Sequence, residues 1–131
     1  MISIENKGNC TIFKVTDEVT VNEILMQLAQ YMSGEQTDTA IWDFAEAKRV
    51  KITTLEVSAV AENLKEISKG KQVRRVALVG SKNINIGLGK LFVAFAEMAG
   101  LPNEYKVFRD ISIAKEWLGV DSDDHQLLFG R

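Results

Sequence analysis

The stretch Arg75-Val76-Ala77-Leu78-Val79 decides the fold, because its last four residues are apolar without interruption. A strand of a parallel sheet is covered on both faces, so it reads as a continuous apolar run rather than as an alternation of apolar and polar residues. A loop, Gly80 to Asn85, follows this run, and a helical pattern of apolar residues begins after it. The stretch therefore predicts an interior strand of a mostly parallel sheet that leads into a helix.

The same strand signals recur along the rest of the chain. Ala40-Ile41-Trp42 leads into Asp43-Phe44 and predicts another interior strand, and Tyr105-Lys106-Val107-Phe108 predicts the last strand. Near the start, Ile2 to Ile4 and Cys10 to Val15 predict two short strands joined by a turn at Asn6-Lys7-Gly8-Asn9. The opening hairpin makes the predicted sheet mixed rather than fully parallel.

Capping signals place the helices between these strands. Thr20 with Glu23, and Thr53 with Glu56, have the spacing of a capping box, and Asp110 is a predicted cap of a short last helix. The predicted core faces of the three longer helices are Val21, Ile24, Leu25, Leu28 and Met32, then Val57, Val60, Ala61, Leu64 and Ile67, then Leu88, Leu91, Phe92, Phe95 and Met98. The first two helices are predicted to end near Gly34 and Gly70. The order ββαβαβαβα predicts an α/β fold, a single domain with a mixed, mostly parallel sheet of about five strands and four helices.

Composition excludes several classes of function. The chain of 131 residues has the size of one domain. Its single cysteine, Cys10, and single histidine, His125, exclude a cysteine-cluster or multi-histidine metal centre. The 16 Lys and Arg residues are balanced by 18 Asp and Glu residues, which argues against a nucleic-acid partner. The longest apolar run, Leu91 to Ala96, is far shorter than the about 20 residues of a transmembrane helix. We therefore expect a cytoplasmic protein without a transmembrane segment.

The landmarks of this order resemble those of a known family. They are Ile41-Trp42-Asp43-Phe44, Arg75 to Val79, Val107-Phe108-Arg109-Asp110, Ala114 and the pair Trp117-Leu118. The chain resembles the SpoIIAA-like proteins, which are relatives of the STAS domains and share a structural likeness with Sec14-type lipid-binding domains. The resemblance covers residues 1–119, and it implies a SpoIIAA-like (STAS-like) domain that acts by binding and is not an enzyme.

The resemblance also singles out the start of the second helix. In STAS anti-sigma factor antagonists, a Ser or Thr in an Asp-Ser-Ser-Gly segment is phosphorylated there. The matching stretch is Lys51-Ile52-Thr53-Thr54-Leu55, with Thr53 at the phosphoacceptor position, Lys51 in place of the acid and Thr54 in place of the glycine. Thr53 is then either a helix N-cap alone or a switch whose phosphate is stabilised by the helix N-terminus.

The loops after the third and fourth predicted strands are a candidate anion site, because ligands of α/β sheets bind beyond the carboxyl ends of the strands. These loops are Ala45 to Ile52 and Gly80 to Asn85. Their basic residues are Lys48, Arg49, Lys51 and Lys82. These side chains either bind an anion or form a solvated basic rim.

A groove between the second and third helices is the predicted binding site, for a protein partner or a small apolar, lipid-like ligand. Ile86 and Val93 fall on the side of the third helix opposite to its predicted core face. With Leu55 and Ala59 on the second helix, and Gly87, they form the predicted groove. Isolated exposed apolar residues are also ordinary on a protein surface.

Catalysis has little support in the sequence. Asp43 and Ser81 lie at predicted strand ends, but no partner base or oxyanion hole is visible, so we expect no catalytic residues, no cofactor and no metal.

Residues 120–131 form a predicted tail whose acidic half, Asp121 to His125, is solvated. Its apolar half, Leu127-Leu128-Phe129, either covers the groove or swaps into a second chain, which favours a homodimer, and peripheral membrane contact stays open.

Overall fold

A five-stranded mixed sheet organises the computed structural model, which describes residues 1–68 and 74–120. The elements in chain order are β1 (Ile2–Lys7), β2 (Cys10–Thr20), α1 (Val21–Ser33), β3 (Thr39–Lys51), α2 (Thr54–Ile67), β4 (Arg75–Val79), α3 (Asn83–Ala99), β5 (Glu104–Phe108) and α4 (Ile111–Leu118). The predicted fold class and the order ββαβαβαβα are confirmed. The predicted helix end near Gly70 and the predicted roles of the tail lie outside the described residues.

The strands lie side by side in chain order, β1-β2-β3-β4-β5. β1 and β2 form an antiparallel hairpin, and the three later pairings are parallel. In the middle of the sheet, Ile41 of β3 pairs with Ala77 of β4, which pairs in turn with Lys106 of β5. The continuous apolar run of β4 thus lies between two parallel neighbours, as its sequence predicts.

Three helices cover one face of the sheet and one short helix covers the other. The side chains beneath α1, α2 and α3 belong to one core cluster, built on Phe13, Trp42 and Val76 of the strands. The opposite face, with Ile41 and Ala77, packs against α4 in a smaller cluster. A binding site between the sheet and its larger helical layer is therefore shaped by α1, α2 and α3.

Both capping boxes form as predicted. The Thr20 hydroxyl accepts from the Glu23 amide at 3.4 Å, and the Glu23 carboxylate accepts from the Thr20 amide at 3.2 Å. At the start of α2 the matching distances between Thr53 and Glu56 are 3.2 and 2.9 Å. Each box satisfies two amides that the first helical turn would otherwise leave unpaired.

The third strand is longer than its sequence predicts, and the prediction that Ala45 to Ile52 is a loop is wrong. β3 continues to Lys51, paired with a β2 that continues to Thr20, with register shifts at two places along the pair. This two-stranded ribbon extends past the end of β4 at Val79. The polar residues of this ribbon are typical of a loop, yet they form ion pairs between the two strands. For example, the Lys51 ammonium lies 2.9 Å from the Glu18 carboxylate.

The buried side of α3 agrees with its prediction only in part: Phe92 packs against the core as predicted, but Ile86 and Met98 do not follow the prediction. Ile86, expected on the exposed side, is 6% exposed, whereas Met98, expected in the core, is 81% exposed. Apolar residues surround most of this helix, so periodicity alone does not identify its buried side. The small residues Gly89 and Ala96 face inward instead, and Gly89 lies against Val107 of β5.

Candidate functional site

An apolar cavity of about 130 Å³ lies between the sheet and the layer formed by α1, α2 and α3. Its floor includes Trp42 of β3 and Leu78 of β4, and its walls include Leu28, Val60 and Phe92, one from each helix. The lining also contains Gly80 and Asn85, which lie where β4 leads into α3. The cavity therefore extends toward the edge of the sheet at which α/β proteins bind ligands.

Aromatic rings form much of the cavity's surroundings. Trp42 is stacked between Phe13, at a centroid distance of 4.4 Å, and Phe44, at 6.3 Å. Phe92 of α3 meets Tyr105 of β5 edge to face at 5.0 Å. Four of these rings, all but that of Phe13, line the cavity directly. Such rings offer faces and edges to which another aromatic ring can pack.

The polar groups that line the cavity differ in how well they are paired. Among the described residues, no charged side chain lines it, and its amide and hydroxyl side chains are Tyr31, Asn85, Asn103 and Tyr105. The Tyr31 hydroxyl lies 3.2 Å from the Thr37 hydroxyl. Asn103 donates to the Tyr105 hydroxyl at 3.2 Å, and burial raises the pKa of Tyr105. The side-chain amide of Asn85 forms no hydrogen bond within residues 1–68 and 74–120.

The residues of the predicted groove do not converge in the structure. Leu55 is 83% exposed on α2, with Ala59 and Gly87 also exposed, whereas Ile86 is buried. Val93 is partly buried and lines a separate pocket beside the connection from α3 to β5. None of these five residues lines the apolar cavity. The glycine of α3 that does line the cavity is Gly89, two residues after Gly87.

The basic residues of the predicted anion site are engaged with acidic partners. Within the ribbon, the Lys51 and Arg49 side chains contact the Glu18 carboxylate at 2.9 and 3.5 Å. Lys48 lies 3.8 Å from Asp17. The Lys82 ammonium donates to the backbone carbonyl of Lys48 at 2.9 Å, which brings the two predicted loops together. All four side chains thus already have a partner, close to the N-cap Thr53.

The carboxylates of Asp43 and Asp110 have structural partners. Asp43 accepts a hydrogen bond from the Ala45 amide at 2.9 Å, and Asp110 caps α4 by accepting from the Ser112 amide at 2.8 Å. The residues described by the structure contain no group of acidic, histidine or cysteine side chains suited to a metal ion. Among those same residues, no helix is long and apolar enough to cross a membrane.

The comparisons with known proteins agree with the predicted fold. No family model and no curated protein match the sequence. Among solved structures, the chain is similar to the anti-sigma factor antagonist SpoIIAA in its unphosphorylated form, with a TM-score of 0.57 and 11% identity. The likeness covers 93% of this chain and 100% of SpoIIAA. The chain therefore has the SpoIIAA-like, STAS-type fold that its landmarks predict.

Proposed function

We propose that this domain is a non-catalytic binding protein that holds a small apolar ligand in the cavity beneath α1, α2 and α3. The observation that carries the proposal is the cavity of about 130 Å³ with its apolar lining. The cavity lies beneath α2 and α3, the two helices between which the sequence predicts a groove. It lies deeper in the protein than the residues predicted to form that groove.

The energetic cost of the cavity supports this proposal. Void volume in a core costs about 24 cal/mol per Å³, so a cavity of this size costs at most about 3 kcal/mol. That is a large part of the stability of a domain, which is typically about 5–15 kcal/mol. A cavity of about 150 Å³ lined by Leu, Ile and Phe side chains stays dry and binds benzene in another protein. An apolar ligand would recover the lost contacts here in the same way.

Native mass spectrometry of the freshly purified protein is the first experiment. We expect added mass that organic solvent extracts, or, for a protein purified empty, a rise in melting temperature with small apolar compounds. The same spectrum reports whether the chain is the homodimer predicted from its tail.

A cavity-filling variant makes this experiment specific. Val60 lines the cavity, so Val60→Phe should abolish ligand binding. Val21 is partly buried at the edge of the same core but does not line the cavity, so Val21→Phe is the matched control. Ligand binding that survives in Val60→Phe would contradict the proposal.

A partner switch controlled by phosphorylation is the second candidate function. It is supported by the SpoIIAA-like fold together with the position of Thr53 and Thr54 at the exposed start of α2. Beside them, Leu55 is 83% exposed and Ile84, at the start of the neighbouring α3, is 71% exposed. A phosphate there would add negative charge next to an apolar surface and so change its affinity for a protein partner.

Phosphosite mapping tests this second candidate. The protein is incubated with ATP and a lysate that phosphorylates an anti-sigma factor antagonist added as a positive control. Modification of Thr53 or Thr54 is the expected result. If both residues stay unmodified while the positive control is phosphorylated, the switch is excluded under these conditions and the ligand proposal is unaffected.

A further inference from the structure

We infer that the ligand of the cavity is a neutral, single-ring aromatic molecule with one hydrogen-bonding substituent, and that the Asn85 side chain binds that substituent. This inference rests on the proposed function and names the ligand class for the same site. Its basis is the cavity's volume, its aromatic walls, the absence of charge among the described lining residues and the unpaired side-chain amide of Asn85.

Volume limits the size of the ligand. About 130 Å³ is slightly less than the space that holds benzene in another protein. A long acyl chain contains more methylene groups than this space can bury. The cavity therefore selects for a compact molecule of about one ring rather than for the tail of a membrane lipid.

The walls limit the chemistry of the ligand. The rings of Trp42, Phe44, Phe92 and Tyr105 surround the space, and aromatic rings pack favourably in offset-stacked or edge-to-face geometry. No charged side chain of residues 1–68 and 74–120 lines the cavity. A charged ligand would lose its hydration there without gaining a counter-ion, so the cavity favours a neutral molecule.

Asn85 supplies the hydrogen bond because the other amide and hydroxyl side chains of the lining are already engaged. Tyr31 is bonded to Thr37, and Asn103 bonds both the Arg74 amide and the Tyr105 hydroxyl. The side-chain amide of Asn85, which is partly exposed at the start of α3, has no hydrogen-bond partner in the described part of the chain. It can donate to a hydroxyl or carbonyl oxygen and can also accept from a hydroxyl.

Isothermal titration calorimetry of the full chain tests the inference with phenol, benzene, benzoate and dodecanoate. We expect phenol to bind about fivefold more tightly than benzene, as one net hydrogen bond predicts. Benzoate and dodecanoate should bind at least about tenfold more weakly than phenol, because of the desolvated charge. In Asn85→Leu the preference for phenol over benzene should be lost.

Two further variants make the assignment to Asn85 falsifiable. Asn63 is exposed on α2 and does not line the cavity, so Asn63→Leu should leave both affinities unchanged. Tyr105 lines the far part of the cavity and is the rival hydrogen-bonding group. A preference for phenol that is lost in Tyr105→Phe and kept in Asn85→Leu would overturn the assignment.

The outcomes separate this inference from the proposed function. If benzene binds and Val60→Phe abolishes its binding, while phenol has no advantage over benzene, the cavity function stands and the role of Asn85 is wrong. If dodecanoate binds most tightly, the ligand class is wrong and an acyl ligand replaces it. If none of the four compounds binds, both the inference and the proposed function fail.

Discussion

Gly89 lies so close to Val107 that a β-carbon at Gly89 would come within 3.3 Å of the Val107 Cγ2 atom. The close approach of α3 to β5 thus depends on the missing side chain. Gly87, two residues earlier on the same helix, has nothing within 4 Å of the corresponding position. These two glycines therefore form a matched pair for mutation.

Replacement of each glycine by alanine should have different effects. Gly87→Ala should raise the free energy of unfolding by about 1 kcal/mol, because alanine favours helix more than glycine does. Gly89→Ala gains the same helix propensity but crowds the Cγ2 methyl group of Val107, so its net effect should be zero or destabilising. Urea denaturation measures both values. Equal stabilisation by the two substitutions would show that α3 moves freely on the sheet.

Filling the cavity should stabilise the empty protein. Val60→Phe places additional carbon atoms in space that is now void, and we expect a rise of about 1 kcal/mol in the free energy of unfolding. Val21→Phe, at the edge of the core, should change it by less than about 0.5 kcal/mol. Thermal and urea denaturation of the ligand-free proteins provide the measurement. A destabilised Val60→Phe would mean that its ring does not fit the void.

The N-cap of α2 should contribute measurably to stability. Thr53→Ala removes the hydroxyl that accepts from the Glu56 amide and should cost about 1 kcal/mol. Thr54, the next residue, makes no such cap, so Thr54→Ala is the control and should change stability by less than about 0.5 kcal/mol. Urea denaturation distinguishes the two. Equal losses would contradict the capping role of Thr53.

Asp17 has a left-handed backbone, with φ of 56°, in the ribbon of β2 and β3. This conformation is strained for branched side chains, so Asp17→Val should lower the free energy of unfolding by about 1–2 kcal/mol. Asp17→Gly should be close to neutral, because relief of strain is offset by greater freedom of the unfolded chain. Asp17→Asn controls for the loss of the exposed ion pair with Lys48. Valine and asparagine variants of equal stability would contradict the backbone argument.

The buried thiol of Cys10 should make stability depend on alkaline pH. Burial raises the pKa of Cys10 in the folded protein. As the pH rises through the ordinary range of a thiol, about 8.5, the unfolded chain loses its proton first, so the free energy of unfolding decreases. This loss should be smaller in Cys10→Ala, when urea denaturation at about pH 7 is compared with that at about pH 9.5. An identical pH dependence in the two proteins would exclude this contribution.

The order of elements was predictable from the sequence because its signals are local. The apolar run at Val76 to Val79 and the boxes at Thr20 and Thr53 depend on neighbouring residues alone. The length of β3 was not predictable, because its charged residues are stabilised by Glu18 and other residues far away in the sequence. Strand lengths that depend on such pairs can be predicted only when the register of the sheet is known.

The candidate site was predictable only in outline. The sequence indicates the two helices that border it, but a void is the space that side chains leave, and no residue pattern encodes it directly. The nearly continuous apolar surface of α3 also concealed which side is buried, so Ile86 was placed outward. A glycine within a helical pattern, such as Gly89, is compatible with close packing, yet its partner Val107 is apparent only from the structure.

The sequential strand order has a consequence for how the protein forms. Each strand pairs with the strand that precedes it in the chain, from the β1–β2 hairpin to β5. Domains generally begin to fold at their N-terminal part during synthesis. Each new strand of this sheet therefore emerges from the ribosome when its neighbour is already available, and the sheet can grow by adding one strand at a time to a single edge.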